Sequence, residues 1–264
     1  MTPLRLGLLG YGKMGRAVEA GLREQENPEA HDNRGDGSRG DGNRPLALAW
    51  ALDAGASASE LRQALAQADV VIEFTRPDAA PGNLLAALEA GVPVVCGTTG
   101  WYDQLDRIRA ACAAHDGALL YAPNFSIGVN LFFAVQEYAT RLFARYPRYR
   151  LSLSETHHSA KLDAPSGTAL HIAGSVLQLH PGYSSWQLTD RPEAAEGILP
   201  VVAHRIDPVP GTHALRFNSP EDAVLLEHTA HNRSGFARGA LEAARWLPGR
   251  KGVFTMRDLL ALPL

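Results

Sequence analysis

Gly10, Gly12 and Gly15 stand in the pattern G-x-G-x-x-G, directly behind the apolar run LRLGLL at Leu4–Leu9. This pattern restricts the chain severely, because a strand must turn within a few residues into a helix and leave bare backbone at the tip. Glycine allows the tight turn. Without side chains there, a pyrophosphate can approach the helix N-terminus, where unpaired N–H groups and the helix dipole favour an anion. Seen alone, the pattern also fits an ordinary strand–helix turn, so its surroundings matter.

Those surroundings alternate. Strands are expected at 4–9, 46–52, 70–74, 92–96 and 118–121, with helices at 13–23, 59–67, 83–90 and 103–115 between them. Near-continuous apolar strands alternating with helices indicate a doubly wound parallel sheet, the Rossmann-like α/β plan. Asp53 follows the second strand, where its carboxylate can accept from both hydroxyls of an adenine ribose. The usual spacing to that acid is about 20 residues. Here residues 27–45, NPEAHDNRGDGSRGDGNRP, intervene, and their Gly, Asp, Asn and Arg content reads as a flexible, disordered insertion. Phe74-Thr75 and the GTTG of 97–100 also follow apolar strands, the edge at which such sheets bind ligands.

After Asn124 the pattern changes. A long helix is expected at 130–146 and a strand at 150–156, with Leu151, Leu153 and Glu155 on one face. A helix at 168–179, strands at 201–206, 212–218 and 223–229, and a helix at 236–246 complete an α+β unit with a mostly antiparallel sheet. The expected division is 1–126 plus 236–264 for a dinucleotide-binding domain, with 127–235 for a substrate-binding and oligomerisation domain.

Composition narrows the function classes. A net charge of −3 offers no basic field to nucleic acid or anionic lipid. No apolar run approaches the ~18 residues of a membrane span. Cys96 and Cys112 match no zinc or redox spacing and fit a reducing compartment. The opening residues carry no small-residue cleavage pattern. The expectation is a cytoplasmic protein with neither nucleic acid nor membrane as partner.

The densest chemistry lies at 155–170, ETHHSAKLDAPSGTAL. Side chains alternate along a strand, so His157 and His158 should diverge unless the strand has ended, and no metal shared by both is expected. Ser166-Gly167-Thr168 precedes a helix whose first N–H groups favour an anion, with His158 and Lys161 close in sequence. His157, titrating near neutrality, could deliver a proton. Together these residues imply a small anionic substrate that is protonated after a hydride arrives.

Nearly the whole chain resembles the dihydrodipicolinate (4-hydroxy-tetrahydrodipicolinate) reductase family of the lysine and diaminopimelate pathway. The resemblance is carried by GYGKMG, EFTRP, GTTGW, APNFSIGVN, the 155–170 run, PGTH, HNRSGFARGAL and MRDLL. It implies NAD(P)H-dependent reduction of a cyclic imine dicarboxylate by a homotetramer assembled through the sheet of the substrate domain. His157 takes the proton donor/acceptor position and Lys161 the second donor position. His158, Gly167 and Thr168 fall on substrate positions. Gly10, Tyr11, Gly12, Lys13, Met14, Asp53, Gly97, Thr98, Thr99, Ala122, Pro123, Asn124 and Phe125 fall on cofactor positions. The chain departs from the family in being short between Asp53 and Val70, in Pro123, and in Ala54, where many members carry a basic side chain. That last difference favours NADH, with NADPH possible. Two other readings compete: another two-domain nicotinamide-dependent reductase of a small acid, and a non-catalytic NAD-binding regulator.

Overall fold

A computed structural model of the chain describes residues 2–26, 44–53, 55–232 and 234–262. Most of the 27–45 insertion, and Ala54, lie outside the described residues. The chain forms two compact units, Met1–Ile127 with Ser234–Leu264, and Gly128–Arg233.

In the first unit, β1 (Leu4–Leu9), β2 (Leu46–Leu52), β3 (Val70–Glu73), β4 (Val94–Cys96), β5 (Ala118–Tyr121) and β11 (Gly252–Phe254) form one sheet. The order is β11-β5-β4-β3-β1-β2 and every pairing is parallel. Alternation along the strands divides the core between two faces. Leu4, Leu6, Leu8, Val70, Ile72 and Val95 share one cluster with Val18 and Leu22 of α1 (Lys13–Glu26) and Ala240, Leu241 and Ala244 of α7 (Ser234–Trp246). Val71, Val94 and Cys96 share the other with residues of α2 (Ala58–Leu65), α3 (Ala80–Glu89) and α4 (Leu105–Ala114). Burial on both faces explains the unbroken apolar strands, each large side chain contributing roughly 1.5–3 kcal/mol.

The expected strands 4–9, 46–52 and 118–121 match these bounds. The strand expected at 92–96 starts only at Val94, since Pro93 has no N–H, although its carbonyl still accepts from Val71 N–H at 2.9 Å. The helix expected from residue 83 starts at Ala80, because proline is tolerated in a first helical turn and Pro81 occupies one. β11 and the short α8 (Met256–Leu259) were not expected.

β1 has β2 on one side and β3 on the other, so the chain order reverses there, and ligands of such sheets bind beyond the carboxyl ends at this switch point. Hydrogen bonds continue one step past the strand ends and tie the loops down. Gly10 N–H donates to Leu52 C=O and Phe74 N–H to Leu9 C=O, both at 2.8 Å, and Gly97 N–H donates to Glu73 C=O at 2.9 Å.

In the second unit, β6 (Arg150–His157) is the middle strand of the order β10-β9-β6-β8-β7. It runs antiparallel to β9 (Gly211–Asn218), which pairs antiparallel with β10 (Ala223–Ala230). On its other side it is parallel to β8 (Ile198–Arg205), and β8 to β7 (Ser185–Thr189). The sheet is therefore mixed, and its parallel side follows from the crossover through α6 (Gly167–Leu179). Leu151, Leu153, Val201, Leu215 and Phe217 form one core with Phe132 and Phe133 of α5 (Ile127–Phe143) and Ile172 and Val176 of α6.

The phosphate-loop glycines differ in what constrains them. A Cβ on Gly10, held at φ +88°, would strike the Phe74 carbonyl, and one on Gly15 would strike the Gly10 carbonyl. A Cβ on Gly12 would meet nothing within 4 Å. Gly10→Ala is expected to cost on the order of 3 kcal/mol through overlap and strain, whereas Gly12→Ala stays within about 0.5 kcal/mol of the parent. Urea unfolding of the two variants checks this, and equal midpoints would contradict it.

Candidate active site

Four loops at the carboxyl edge of the first sheet carry the expected cofactor residues. Gly10, Tyr11 and Gly12 make the turn after β1, and Lys13 and Met14 open α1. The Gly12 carbonyl accepts from Arg16 N–H at 3.1 Å, so Gly12 caps the helix without a side chain. The first-turn N–H groups of Lys13, Met14 and Gly15 therefore have no capping partner among the described residues. Asp53 is exposed just past β2. Gly97, Thr98 and Thr99 follow β4, and the Thr98 hydroxyl is buried with no hydrogen-bond partner among the described residues. The Thr98 carbonyl is held by Trp101 Nε1–H at 2.7 Å. Ala122, Pro123, Asn124 and Phe125 follow β5, where Asn124 Oδ1 accepts Ser126 N–H at 2.8 Å and Phe125 meets Phe74 edge-on at 6.0 Å between ring centroids. The fold itself needs neither the missing side chain at Gly12 nor the unpaired Thr98 hydroxyl. A pyrophosphate over the helix start and a polar group at Thr98 would use both, so these residues fit a dinucleotide.

The second unit gathers ionisable groups between the end of β6 and the start of α6. β6 ends at His157, which is buried on the same face as Glu155, while His158 lies beyond the strand and half-buried. The strand thus ends between the two histidines, so alternation does not reach His158. Glu155 is fully buried and is held by the backbone of the next element: Ser166 N–H donates to both carboxylate oxygens at 3.1 Å. Arg205 Nη2, from the end of β8, lies 3.4 Å from Oε1 and also donates to the Asp163 carbonyl at 2.6 Å. Oε2 lies 3.6 Å from both His157 Nδ1 and His213 Nε2. Lys161 Nζ donates to both oxygens of Asp163, at 2.7 and 2.8 Å.

Burial would raise the Glu155 pKa, but its His213 and Ser166 contacts and the nearby His157 overcome that and hold it at about 2. Burial depresses His157 to about 4, and neighbouring His213, Lys161 and Arg205 push the same way against the attraction of Glu155. In the ligand-free protein His157 is therefore a neutral base at pH 7. A bound dianion would reverse much of that shift.

Ser166 caps α6, its Oγ accepting from Ala169 N–H at 3.2 Å. A helix start leaves four N–H groups without intrahelical partners. Here Ser166 N–H is used by Glu155 and Ala169 N–H by the cap. Those of Gly167 and Thr168 are left over, with no partner among the described residues, and a Cβ on Gly167 would meet nothing within 4 Å. The expected substrate residues thus present two free donors and open space at a helix N-terminus, with Lys161 and His158 in the loop before it. Glu155, His157 and His213 are close enough together to hold a metal ion. Against that, the Arg205 guanidinium already places a positive charge there and Ser166 N–H occupies both carboxylate oxygens.

Comparison with known proteins gives this geometry a context. The family model for the C-terminal part of dihydrodipicolinate reductase matches residues 128–260, and that for its N-terminal part matches residues 4–125. The chain belongs to the dihydrodipicolinate reductase family. A 4-hydroxy-tetrahydrodipicolinate reductase from Christiangramia forsetii is 36% identical over 258 residues, covering 98% of each chain. One from Thiobacillus denitrificans is 36% identical over 273 residues, covering 98% of this chain and 99% of its own. A solved structure, dipicolinate-bound dihydrodipicolinate reductase from Paenisporosarcina sp. TG-14, has the same fold. Its TM-score is 0.70 at 23% identity, over 96% of this chain and 98% of that chain.

Sequence reasoning named Ser166 only as part of the helix start, and did not single out Glu155, Arg205 and His213 as members of this candidate site. Glu155 had a signal, since it sits two residues before His157 on the same strand face. Arg205 and His213 arrive from β8 and β9, at distances in the chain that no local spacing reveals.

The depressed titrations make stability sensitive to acid. Between pH 6.5 and 4 the unfolded chain holds a proton on His157 that the folded one does not, so stability falls as pH drops through that window. Glu155, depressed to about 2, adds stability that is complete above about pH 4.5 and is lost as pH falls toward 2. Urea unfolding of His157→Gln should show a flatter decline from pH 6.5 to 4 than the parent, whereas an unchanged slope would mean that the ring titrates as in a free peptide.

Proposed function

We propose that the protein catalyses the NAD(P)H-dependent reduction of 4-hydroxy-tetrahydrodipicolinate to tetrahydrodipicolinate, the reduction step of lysine and diaminopimelate biosynthesis. The observation that carries this reading is the pair of N–H groups on Gly167 and Thr168 without a partner among the described residues, at a helix start preceded in the chain by Lys161, His158 and His157. A carboxylate of a cyclic imine dicarboxylate accepts from those donors, and Lys161 leaves Asp163 to meet the substrate's charge. The nicotinamide, when bound along the Gly10–Met14 turn and the loops after β2, β4 and β5, supplies a hydride to the unsaturated ring. The 4-hydroxyl leaves as water, and His157 or Lys161 delivers the proton that, with the hydride, completes the reduction, so that substrate, hydride and proton yield tetrahydrodipicolinate and one water. His157 is suited to this because the arriving dianion raises its proton affinity only when substrate is present.

The protein works as a cytoplasmic homotetramer in this reading. Support comes from the face of the second sheet turned away from α5 and α6, where Ser152, Ser154, Val202, Ala214 and Arg216 line a broad hollow. Nearby strands leave Trp186, Leu188, Val224 and Leu225 exposed.

Consumption of NADH with freshly synthesised substrate tests the reaction and separates it from reduction of another acid and from a non-catalytic regulator. His157→Gln should lower turnover by about 10²–10⁴-fold with NADH affinity kept, as for loss of a general acid. Lys161→Ala should be at least as severe, because a charge near the substrate is lost too. Retention of more than about half the turnover in His157→Gln, a barrier change under 0.5 kcal/mol, would remove His157 from the chemistry.

NADH is the preferred cofactor. Asp53 stands exposed where the ribose 2′ position is expected, repelling an added phosphate. Ala54 offers no cation to compensate, and Lys13 recovers part of the loss from the phosphate loop. The expected preference is about tenfold in kcat/KM, or 1.36 kcal/mol. Steady-state kinetics with both cofactors at low salt checks it, with Ala54→Arg narrowing the gap; an equal or higher kcat/KM with NADPH would contradict it.

A further inference from the structure

We propose that Glu155 is a positioning residue for this reaction, its one buried carboxylate fixing both the tautomer of His157 and the start of α6. The inference rests on His157 handling the proton, as argued above. Three observations carry it. Glu155 and His157 lie two residues apart on one face of β6, with Oε2 3.6 Å from Nδ1. His157 Nδ1 is buried without a hydrogen-bond partner, so a carboxylate at that range is the acceptor its N–H would take when the site tightens around substrate. The same carboxylate accepts Ser166 N–H on both oxygens, so moving it would move the helix end that bears Gly167 and Thr168.

With the proton on Nδ1, the His157 lone pair is on Nε2. That edge of the ring lies where a Cβ on Gly211 would come within 3.1 Å, so a glycine is what leaves the ring its place. His213 braces the carboxylate from β9, its Nε2 lying 3.1 Å from Ser166 Oγ and 3.6 Å from Oε2. The charged and titratable groups facing the pair are Arg205 from β8, His213 from β9, and Lys161 and Asp163 from the loop. His228 of β10 stands beside His213 in register. A purely structural buried ion pair between Glu155 and Arg205 would explain the burial, but it would leave the His157 tautomer indifferent to Glu155.

The test combines ¹⁵N NMR of histidine-labelled protein with kinetics of Glu155→Gln, whose amide keeps the side-chain shape and one acceptor for Ser166. In the parent, His157 should be the Nδ1–H tautomer. Finding Nε2–H there would overturn the proposal whether or not the variant folds. Glu155→Gln should lower kcat roughly ten- to a hundredfold, the range typical of losing a group that orients a working side chain. It should also move the high-pH limb of kcat down by about one to three units, because the charge favouring protonated His157 is gone. Added to His157→Gln, it should cost little more, since the amide oxygen still accepts Ser166 N–H and what remains lost acts through the one ring. A slow His157→Gln beside a Glu155→Gln of parental kcat and pH profile would overturn this inference alone. A fast His157→Gln would instead overturn the proton-transfer reading on which it rests.

Discussion

The Glu155 carboxylate is buried as an anion, and the second unit is arranged around satisfying it. An isolated buried carboxylate would take up a proton rather than stay charged. Glu155 keeps its charge because His213 Nε2 lies against it and Ser166 N–H reaches both oxygens, with Arg205 beside one of them. Glu155 and these partners come from separate pieces of chain, among them the end of β6, the start of α6 and the end of β8. A single ionic centre therefore sets where the helix begins relative to the strand. It also determines which helix-start amides remain open, because Glu155 and the Ser166 cap use two of the four and leave Gly167 and Thr168.

The first unit answers a different constraint with similar economy. Gly10 and Gly15 are glycines because neighbouring carbonyls occupy the space a side chain would need, whereas a Cβ on Gly12 would meet nothing within 4 Å among the described residues. Space that packing does not demand marks a place for something else, and it lies at an uncapped helix start on the switch-point edge of a parallel sheet. Among the described residues both units thus present the same device: helix N–H groups without a partner beside a glycine whose Cβ would meet nothing within 4 Å.

Much of this was legible in the sequence because local rules and tertiary packing agree. The strands of the first unit are apolar because both faces are covered, and their bounds could be read almost to the residue. Strand alternation put Leu151, Leu153 and Glu155 on one face, and β6 buries all three. Other features depended on partners remote in the chain. β11 has three residues and is a strand only because β5 lies beside it. β7 is a short edge strand whose residues are nearly all exposed, so burial left no periodic trace in SWQLT. Glu155 could be placed on a face by alternation, but His213 and Ser166, remote from it in the chain, make it an anion rather than a buried acid. Arg205 and His213 reach the site through strand pairing with β6, which a single sequence does not reveal.

The central claim is that the open amides of Gly167 and Thr168 are the anchor of an anionic substrate. A crystal structure of the protein with dipicolinate, the ligand in the Paenisporosarcina structure, tests it most directly. The account predicts one ligand carboxylate accepting from the Gly167 and Thr168 N–H groups at roughly 2.7–3.2 Å, with Lys161 Nζ turned from Asp163 toward the ligand. Dipicolinate bound elsewhere, with both amides still open and Lys161 still on Asp163, would contradict it.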